Sequence, residues 1–469
     1  MFGRLVQKEL LHHLLDLRFI AVFALCALLS TLSVYVGVQD YVRRLQEYNR
    51  ISDSHRRSFQ ENSLNKGMLR DLVWGDYRWS RRPEVLSVVG YGLSGTLGQE
   101  VLIRYMEPPT FEASVFESDP IHALFDVLDL AFIVKIVLSL CVLLFTYDAV
   151  CGEKEGGTLR LYASFPVRRS TLALAKLVGS TLAVLVPFLF SCLLVSGVLA
   201  FSPGMGLQGK DWGRIATLMG IFTLYVIVFA AFGVFVSALT HRRMTAFLGL
   251  LGLWTLWVFV IPNLAVDIAR RIVPGESIYD LRKQALQWRW ETRTRALAEV
   301  EDYQRSHPVK DWNALSRAQQ EEIRDAPYKI QTKWDAEYDT HLKALQTRRR
   351  NHTHQQQGLS MALSALSPLG VVNFLSMDLT RTGPVQQERI EDALNQYLLY
   401  LCQYIQTKQR SSGIWGIVNL SDFSWFTYQD TERVGECLSR NLFPILNLAL
   451  LAVFGFAGAY VAILRYDVR

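Results

Sequence analysis

The sequence predicts an all-α polytopic membrane protein, with six transmembrane helices and a mainly helical extracytoplasmic domain that has minor β structure. Half of the 469 residues are apolar, and the mean hydropathy is +0.16. The apolar residues concentrate in long runs, and a helix needs about 20 of them to cross a bilayer core of roughly 30 Å. This composition excludes disordered, collagen-like and disulfide-rich classes of protein.

The predicted spans differ in the number of charged residues that they contain. The six spans are 19–38, 124–147, 171–201, 215–240, 244–266 and 442–464. Five of them carry at most one charged residue, which is Lys176 near the start of the third span. The second span contains Asp126, Asp129 and Lys135. The sequence therefore singles out the second span as the one with an unusual polar content.

Lys135 is the most deeply placed of these charges. It lies 13 residues before Asp148, which is about 20 Å at the rise of an α-helix. A charge inside the membrane is a candidate functional residue, so Lys135 is a candidate for a substrate path. The alternatives are that it reaches the far interface, or that it pairs with Asp129 or with the outer domain.

Basic residues predict the orientation of the spans. Four short pieces together hold 12 Lys and Arg residues but only 6 Asp and Glu residues. The two large segments 38–129 and 265–437 together hold 33 Lys and Arg residues and 36 Asp and Glu residues. The short pieces are 1–18, 148–176, 240–243 and 465–469. Because Lys and Arg in short loops favour the cytoplasmic side, we expect a multi-pass protein of the bacterial plasma (inner) membrane with both termini in the cytoplasm.

The two extracytoplasmic segments, 39–123 and 267–437, differ in their predicted structure. The first begins as a helix that continues the first span outward. Farther on, its short apolar runs Val85–Gly90 and Val101–Ile103 stand between glycines and predict short strands. The first segment thus supplies the minor β structure.

The second extracytoplasmic segment is predicted to be mostly helical. Ile278–Ser306 and Asp325–Gln357 are expected to pack as an antiparallel pair, and Gln386–Lys408 carries one apolar stripe. The run 359–374 is too short for a full span and is interrupted by Pro368. It is therefore either an interfacial or re-entrant helix or a buried helix of the outer domain.

Motifs for catalysis and metal binding are absent from the sequence. HExxH, GxSxG and CxxC do not occur. Gly204–Lys210 has the GxxxxGK spacing, but Asp211 stands where a P-loop needs Ser or Thr to hold Mg²⁺, so we interpret it as a turn between two spans. The sequence predicts no catalytic residue, no metal site and no nucleic-acid partner. Cys402 and Cys437 both lie in the second outer segment, where an oxidising compartment would allow a disulfide.

Residues 1–18 predict an amphipathic helix at the membrane interface. An apolar stripe lies opposite a charged face. The stripe is Leu5, Leu10, Leu14 and Leu17, and the charged face is Lys8, Glu9 and Asp16. A plain cytoplasmic tail would have no use for such a stripe, so we expect this helix to lead along the lipid surface into the first span.

The cytoplasmic segment 148–170 predicts a compact knob between two spans. It combines acidic residues around Glu153 and Glu155 with two adjacent glycines, and Pro166 ends a short helical turn. A rigid knob that joins two membrane helices is suited to receive a push from a cytoplasmic partner. The alternative is an ordinary charged loop.

These two segments carry a resemblance to a known family. The pattern Lys8-Glu9-Leu10 before the first span, and Glu153-Lys154-Glu155-Gly156-Gly157-Thr158-Leu159 followed by Ser164-Phe165-Pro166-Val167, resemble those of ABC-2 type (type V exporter) permeases. Gly156 is an additional glycine within the pattern. The six-span layout matches over the whole chain. The Ser367–Gly370 segment and the large insert before the last span resemble the subgroup with a large extracytoplasmic domain.

The resemblance implies a permease subunit that dimerises with a second permease of the same or a related chain. Each permease would bind a separate ABC ATPase subunit, which holds ATP and Mg²⁺, while this chain binds no cofactor and catalyses no reaction. Glu153–Ala163 would be the coupling helix. The implied coupling residues are Glu153, Lys154, Glu155, Gly157, Thr158, Leu159, Arg160 and Pro166, and those of the elbow helix are Lys8, Glu9 and Leu10.

The expected function is to couple ATP hydrolysis in the partner to export of a substrate. Two alternatives stay open at this point. One is ATP-driven mechanotransmission to an extracytoplasmic protein through the large outer domain. The other is a membrane-anchored receptor or scaffold.

Overall fold

The computed structural model describes residues 2–96, 98–112, 129–158, 168–275, 277–308, 315–412 and 416–465. Most of these residues are helical, and six helices are long and apolar enough to cross a membrane. These spans are Phe19–Leu64, Leu130–Glu155, Ser170–Phe201, Gly209–Leu239, Arg243–Ile272 and Leu442–Leu464, called spans 1 to 6 below. The predicted fold class, an all-α polytopic membrane protein with few strands, is confirmed.

Among the described residues, three of the spans contain a turn of π-helix: span 1 ends in one, Gln60–Leu64, and spans 2 and 5 each have one within their length. Span 2 runs from Leu130–Phe132 through the π-helix Ile133–Leu138 into Ser139–Thr146. Span 5 runs from Arg243–Thr255 through the π-helix Leu256–Val260 into Ile261–Ile272. The indole nitrogen of Trp254 donates a hydrogen bond to Ser139 Oγ at 2.9 Å, so spans 2 and 5 touch where each departs from the α-helix. Single π-turns inside helices are frequent at functional positions.

Span 4 lies at the centre of the bundle and touches its neighbours closely. A Cβ atom added at Gly233 would overlap the side chain of Thr146 in span 2. On another face of span 4, Cβ atoms added at Gly455 and Gly458 of span 6 would fall within 3.0 Å of Ala231 and Phe235. Small residues thus allow helix backbones to approach at the positions where dispersion contacts hold the bundle together.

The two ends of the bundle differ. At one end, which we call the connector end, the ends of spans 2, 4 and 6 meet the beginning of span 3, and a small apolar cluster lies between them. This cluster comprises Val150, Ala173, Leu177, Val234, Ala238, Ala459 and Ile463. At the other end, the domain end, lie the large segments between spans 1 and 2 and between spans 5 and 6.

A three-stranded antiparallel sheet forms part of the domain. Its strands are β1 (Tyr77–Ser80), β2 (Glu100–Ile103) and β3 (Thr110–Glu112), in that order. Tyr77 pairs with Ile103 and Val101 with Phe111. The strand predicted at Val101–Ile103 is therefore confirmed.

The strand predicted at Val85–Gly90 is wrong. Val85–Val88 is a 3₁₀-helix, because this apolar run is buried against span 1 and does not lie beside another strand. A Cβ atom at Gly37 of span 1 would come within 3.1 Å of Val88. Burial on several sides removes the alternating pattern that a half-exposed strand requires.

Long helices make up the rest of the domain. Ile278–Ser306 packs on Arg317–Ser364, which extends beyond the predicted Asp325–Gln357 at both ends and includes Pro327. Pro384–Ser412 contributes its apolar stripe to the core of the domain, together with β1 and β2. Leu69–Val73, Val434–Arg440 and the N-terminal helix Phe2–Leu14 are shorter.

The run 359–374 does not form one helix. Its first residues end Arg317–Ser364, and a separate bridging helix, Pro368–Leu379, is buried against span 4, the π-turn of span 5 and span 6. Ser367 begins the bridging helix by accepting a hydrogen bond from Gly370 N at 3.3 Å, and its hydroxyl also donates to the carbonyl of Trp257. The segment is thus packed on the domain end of the spans. It is therefore neither an interfacial helix nor a helix buried inside the domain, which were the two alternatives left by the sequence.

The disulfide that an oxidising compartment would allow between Cys402 and Cys437 is not formed. Both residues are free, buried thiols. Cys402 belongs to the core of the domain, and Cys437 belongs to the core of the membrane bundle. Sequence position alone placed them in one segment, but that segment folds into two separate cores.

The close approach of spans 2 and 4 yields a stability prediction. We expect Gly233→Ala to lower the free energy of unfolding by about 1–3 kcal/mol, because the new methyl group overpacks the contact with Thr146. Thermal unfolding of the purified chain in detergent measures the effect. Gly220→Ala in the same helix is the control, because nothing lies within 4 Å of a Cβ atom there. Equal unfolding temperatures for the two variants would contradict this packing.

Candidate functional site

The first part of the candidate site is the connector end of span 2, beyond Tyr147, together with the described residues that follow it, and is called the segment after span 2 below. A short helix, Cys151–Glu155, follows Tyr147, and the chain then turns through Gly156 and Gly157, whose φ of +71° lies in the region that favours glycine. The hydroxyl of Ser237 in span 4 accepts hydrogen bonds from the backbone of Val150 and Cys151 at 3.0 and 3.1 Å. The segment is thereby fixed to the end of span 4.

Three charged side chains join this segment to the N-terminal helix and span 3. Lys176 Nζ lies 2.7 Å from Glu153 Oε1 and 3.6 Å from Glu9 Oε1. It also donates to the carbonyl of Ala149 at 3.2 Å, and its side chain is only 2% exposed. A buried ammonium is stable only when it is paired and hydrogen-bonded, so this inner charge cluster (Glu9, Glu153 and Lys176) ties three elements at one point.

Gly179 explains how the N-terminal helix comes so close to span 3. A Cβ atom at this position would lie 2.6 Å from Glu9 Cβ. Leu10 is half-buried, whereas Lys8 is exposed and lies 3.7 Å from Glu9 Oε1. Glu9 therefore turns toward the bundle while Lys8 faces away from it.

Two further residues of the segment satisfy the ends of neighbouring spans. Lys154 donates to the carbonyls of Ala238 and Thr240, the latter at 3.2 Å, at the C-terminal end of span 4. Glu155 accepts a hydrogen bond of 2.9 Å from the backbone nitrogen of Arg243, at the N-terminal end of span 5. A cation at a helix C-terminus and an anion at an N-terminus both complement the helix dipole.

The structure separates the predicted coupling residues into two groups. Glu153 and Lys154 are partly buried and hold the segment against spans 3 and 4. Glu155, Gly157 and Thr158 are exposed, with the Thr158 hydroxyl 3.4 Å from the carbonyl of Glu153. Leu159, Arg160 and Pro166 lie outside the described residues.

Sequence reasoning missed three residues of this site: Lys176, Ser237 and Arg243. Lys176 carried a usable signal, since it is the one charge in an otherwise apolar span, and an intramembrane charge needs a partner. Ser237 and Arg243 carried none, because their contacts depend on how the ends of spans 4 and 5 meet the segment. Neither residue type nor spacing reveals that meeting point.

Lys135 has a partner at the domain side of the bundle. Its ammonium donates to Asn373 Oδ1 of the bridging helix at 2.8 Å, and its own carbonyl accepts from the hydroxyl of Tyr225 at 2.7 Å. Asp129 accepts hydrogen bonds from the backbone of Phe132 and Tyr91 at 2.6 and 2.7 Å and so caps span 2. Lys135 thus joins the π-turn of span 2 to the bridging helix.

A second charge cluster lies at the domain end. Arg214 in the first turns of span 4 is 1% exposed and lies 3.5 Å from Glu432, while it donates to the carbonyls of Leu379 and Glu432 at 3.3 and 3.0 Å. Glu432 also pairs with Arg389 of the domain at 2.6 Å and with Arg440 before span 6 at 2.8 Å. Burial opposes ionisation of Glu432, but its hydrogen bonds from the two arginines hold its pKa below the usual value.

Other polar features of the chain have structural roles. Within the described ranges, no group of three His, Cys, Asp or Glu side chains is placed to hold a metal ion. The first five residues of the GxxxxGK segment, 204–208, form the turn between spans 3 and 4, whereas Gly209 and Lys210 begin span 4, and Asp211 caps that helix by accepting a hydrogen bond of 2.9 Å from the backbone nitrogen of Gln208. His354 lies 2.6 Å from Glu388 on the neighbouring helix.

Comparison with known proteins gives two similar relatives. The probable ABC transporter permease protein NosY of Stutzerimonas stutzeri is 34% identical over 139 residues, which cover 28% of this chain and 48% of the relative. The protein of the same name from Pseudomonas aeruginosa (strain PAO1) is 33% identical over 128 residues, covering 26% of this chain and 45% of the relative. The chain thus spans about half the length of the curated relatives that it matches.

The family comparison covers nearly the whole chain. The model of the ABC-2 family transporter proteins matches residues 4–467. This range includes the N-terminal helix, all six spans, the inner charge cluster and the domain. The chain belongs to the ABC-2 family of transporter proteins.

Proposed function

We propose that this chain is the transmembrane subunit of an ABC exporter, which dimerises and couples ATP hydrolysis by a separate ATPase subunit to export of a substrate. The connector end faces the cytoplasm and the domain lies outside, in the orientation that the basic residues of the short loops favour. ATP and Mg²⁺ are held by the partner, and this chain takes no catalytic part. The family membership, and relatives whose printed names say permease, support this assignment.

The observation that carries the proposal is the way in which the segment after span 2 is held. Its exposed tip, residues 156–158, follows a base, residues 153–155, that is bound to the N-terminal helix and span 3 through Lys176, and to spans 4 and 5 through Lys154 and Glu155. A force on this tip is therefore transmitted to span 2, which carries it, and also to the N-terminal helix and spans 3, 4 and 5. This is the property required of a segment that receives motion from an ATPase.

The route of the substrate belongs to the same proposal. Lys135 and Asn373 form a polar contact inside the bundle, beside the π-turns of spans 2 and 5. We place the export path along this contact, because a charged side chain in a membrane commonly marks a route for polar solutes. The substrate class is left open by this geometry.

A second candidate function is mechanotransmission to a protein outside the membrane. The observation that favours it is that span 4 contacts the coupling segment at one end, through Ser237, and the domain at the other, through Arg214. Its 31 residues make a rod of about 46 Å. Motion of the segment would then reach the domain through a single rigid helix.

The docking assignment is tested by site-specific photo-crosslinking in the host membrane. A photoreactive phenylalanine analogue in place of Thr158 is expected to capture an ATP-binding subunit, because this side chain is exposed at the tip of the segment. The same analogue in place of Thr294, exposed on the domain, is the control and should capture none. Capture of no ATP-binding subunit from position 158 would contradict the proposal and favour the receptor or scaffold function.

The inner charge cluster gives a second prediction. Lys176→Met removes the ammonium that lies 2.7 Å from Glu153 and leaves Glu9 with the exposed Lys8 at 3.7 Å, so we expect a loss of up to about 3 kcal/mol in the free energy of unfolding. We also expect a lower ATP turnover of the assembled complex. Thermal unfolding and phosphate release measure the two effects. Lys210→Met, at an exposed lysine, is the control and should change the stability by less than about 0.5 kcal/mol; equal effects would contradict the role of the cluster.

The two candidate functions differ in what the domain does during ATP turnover. Spin labels at Arg242, at the connector end, and at Thr294, on the domain, report the distance between these two parts of the chain. If the function is mechanotransmission, we expect this distance to change when the complex is trapped with vanadate. We expect Arg214→Gln to abolish that change, because it breaks the buried contact between span 4 and Glu432. The exposed Arg305→Gln is the control. An unchanged distance in the unmodified complex would exclude mechanotransmission and leave export.

A further inference from the structure

The N-terminal helix Phe2–Leu14 presents a second face beside the one that contacts span 3, and the two faces are joined by the ion pair of 3.7 Å between Lys8 Nζ and Glu9 Oε1. Its inward face carries Glu9 and the buried His13, which contacts Phe145 edge-on with ring centroids 6.2 Å apart. The outward face carries Arg4, Lys8 and His12, all exposed. They are spaced four residues apart, which places them in one row along an α-helix.

Apolar side chains flank this basic row. Leu11 is 47% exposed and Leu15 is 82% exposed, and at 100° per residue both fall beside Arg4 and Lys8 on the helix surface. A water-facing helix would not expose large leucines beside lysine and arginine. The combination is typical of a helix that lies in the interface of a bilayer, with leucines in the acyl region and basic residues at the headgroups.

The position of the helix relative to the bundle agrees with this arrangement. It turns at Leu15 and Asp16 directly into the helix that begins at Leu17 and continues as span 1 from Phe19, so its end lies at the start of a membrane span. Along its length it packs on span 3 near Lys176 and Gly179. The outward face is therefore held at the level of the lipid headgroups.

We propose that the outward face of the N-terminal helix, formed by Arg4, Lys8, Leu11, His12 and Leu15, is a binding surface for anionic phospholipid in the leaflet at the connector end. Arg4 and Lys8 supply the positive charge and His12 a further donor to phosphate oxygens. Charge selects the ligand: Glu9, the acidic side chain of the helix, is shared between Lys8 at 3.7 Å and the buried Lys176 at 3.6 Å, so this face keeps a net positive charge.

Spin-label spectroscopy on the full chain, without any ATPase, tests the proposal. The purified chain is reconstituted in phosphatidylcholine with a trace of spin-labelled phosphatidylglycerol or phosphatidylcholine, and the motionally restricted fraction gives the relative affinity of the two lipids. We expect a preference for phosphatidylglycerol that falls several-fold in Arg4→Gln/Lys8→Gln, because two of the positive charges that attract an anionic headgroup are removed. Added salt should weaken the preference.

Two further variants separate charge from folding. Arg4→Lys/Lys8→Arg keeps the charges and should keep the preference, and Lys283→Gln/Arg293→Gln removes two exposed charges from the domain and should leave it unchanged. An unaltered preference in Arg4→Gln/Lys8→Gln would overturn the proposal. So would a photoreactive analogue at position 4 that captures a second copy of the chain instead of lipid. Because no ATPase is present, either result leaves the proposed coupling function untouched.

Discussion

The buried ammonium of Lys176 is the interaction on which the connector end of this protein depends. Span 3 carries it into the bundle, and it is stable there only because Glu9 and Glu153 approach from two other elements. Glu9 belongs to the N-terminal helix, which also packs along span 3, and Glu153 belongs to the segment after span 2, which is also bound to the ends of spans 4 and 5. One shared charge thus joins these two segments to each other. This is why the two segments of the family pattern, nearly 150 residues apart in sequence, act as one site.

Span 4 extends this arrangement through the membrane. Its small residues admit spans 2 and 6 to close contact, so it cannot shift without moving both neighbours. Ser237 binds the coupling segment at one end, and Arg214 is enclosed by the bridging helix and Glu432 at the other. Buried charged contacts are costly to break singly and are therefore suited to keep a defined geometry. The domain is consequently attached to the same helix that meets the coupling segment.

The sequence predicted much of this fold, and the failures have physical reasons. Six apolar runs were sufficient for the fold class, because each lipid-facing helix must satisfy its backbone internally and be apolar over its length. The strand at Val85–Gly90 failed because a run buried on several sides loses the alternation that distinguishes strands. Cys402 and Cys437 do not pair because residues of the same outer segment belong to two separate cores, Cys402 to that of the domain and Cys437 to that of the membrane bundle. At the site, the pattern around Glu153 was visible, but its division into a buried base and an exposed tip was not.

By itself, the sequence determined the number of spans, the amphipathic character of the first helix, the family and the segment that carries its pattern. Each of these features depends on the composition and spacing of residues within a short stretch of chain, so the sequence of that stretch is sufficient to recognise it. Only the tertiary structure decided that Lys176 lies between Glu9 and Glu153, that Lys135 meets Asn373, and that Pro368–Leu379 packs on the spans. Those contacts join residues tens to hundreds of positions apart. A charged residue in an apolar run indicates that a partner must lie nearby in the folded protein, but only the packing of the helices determines which residue that partner is.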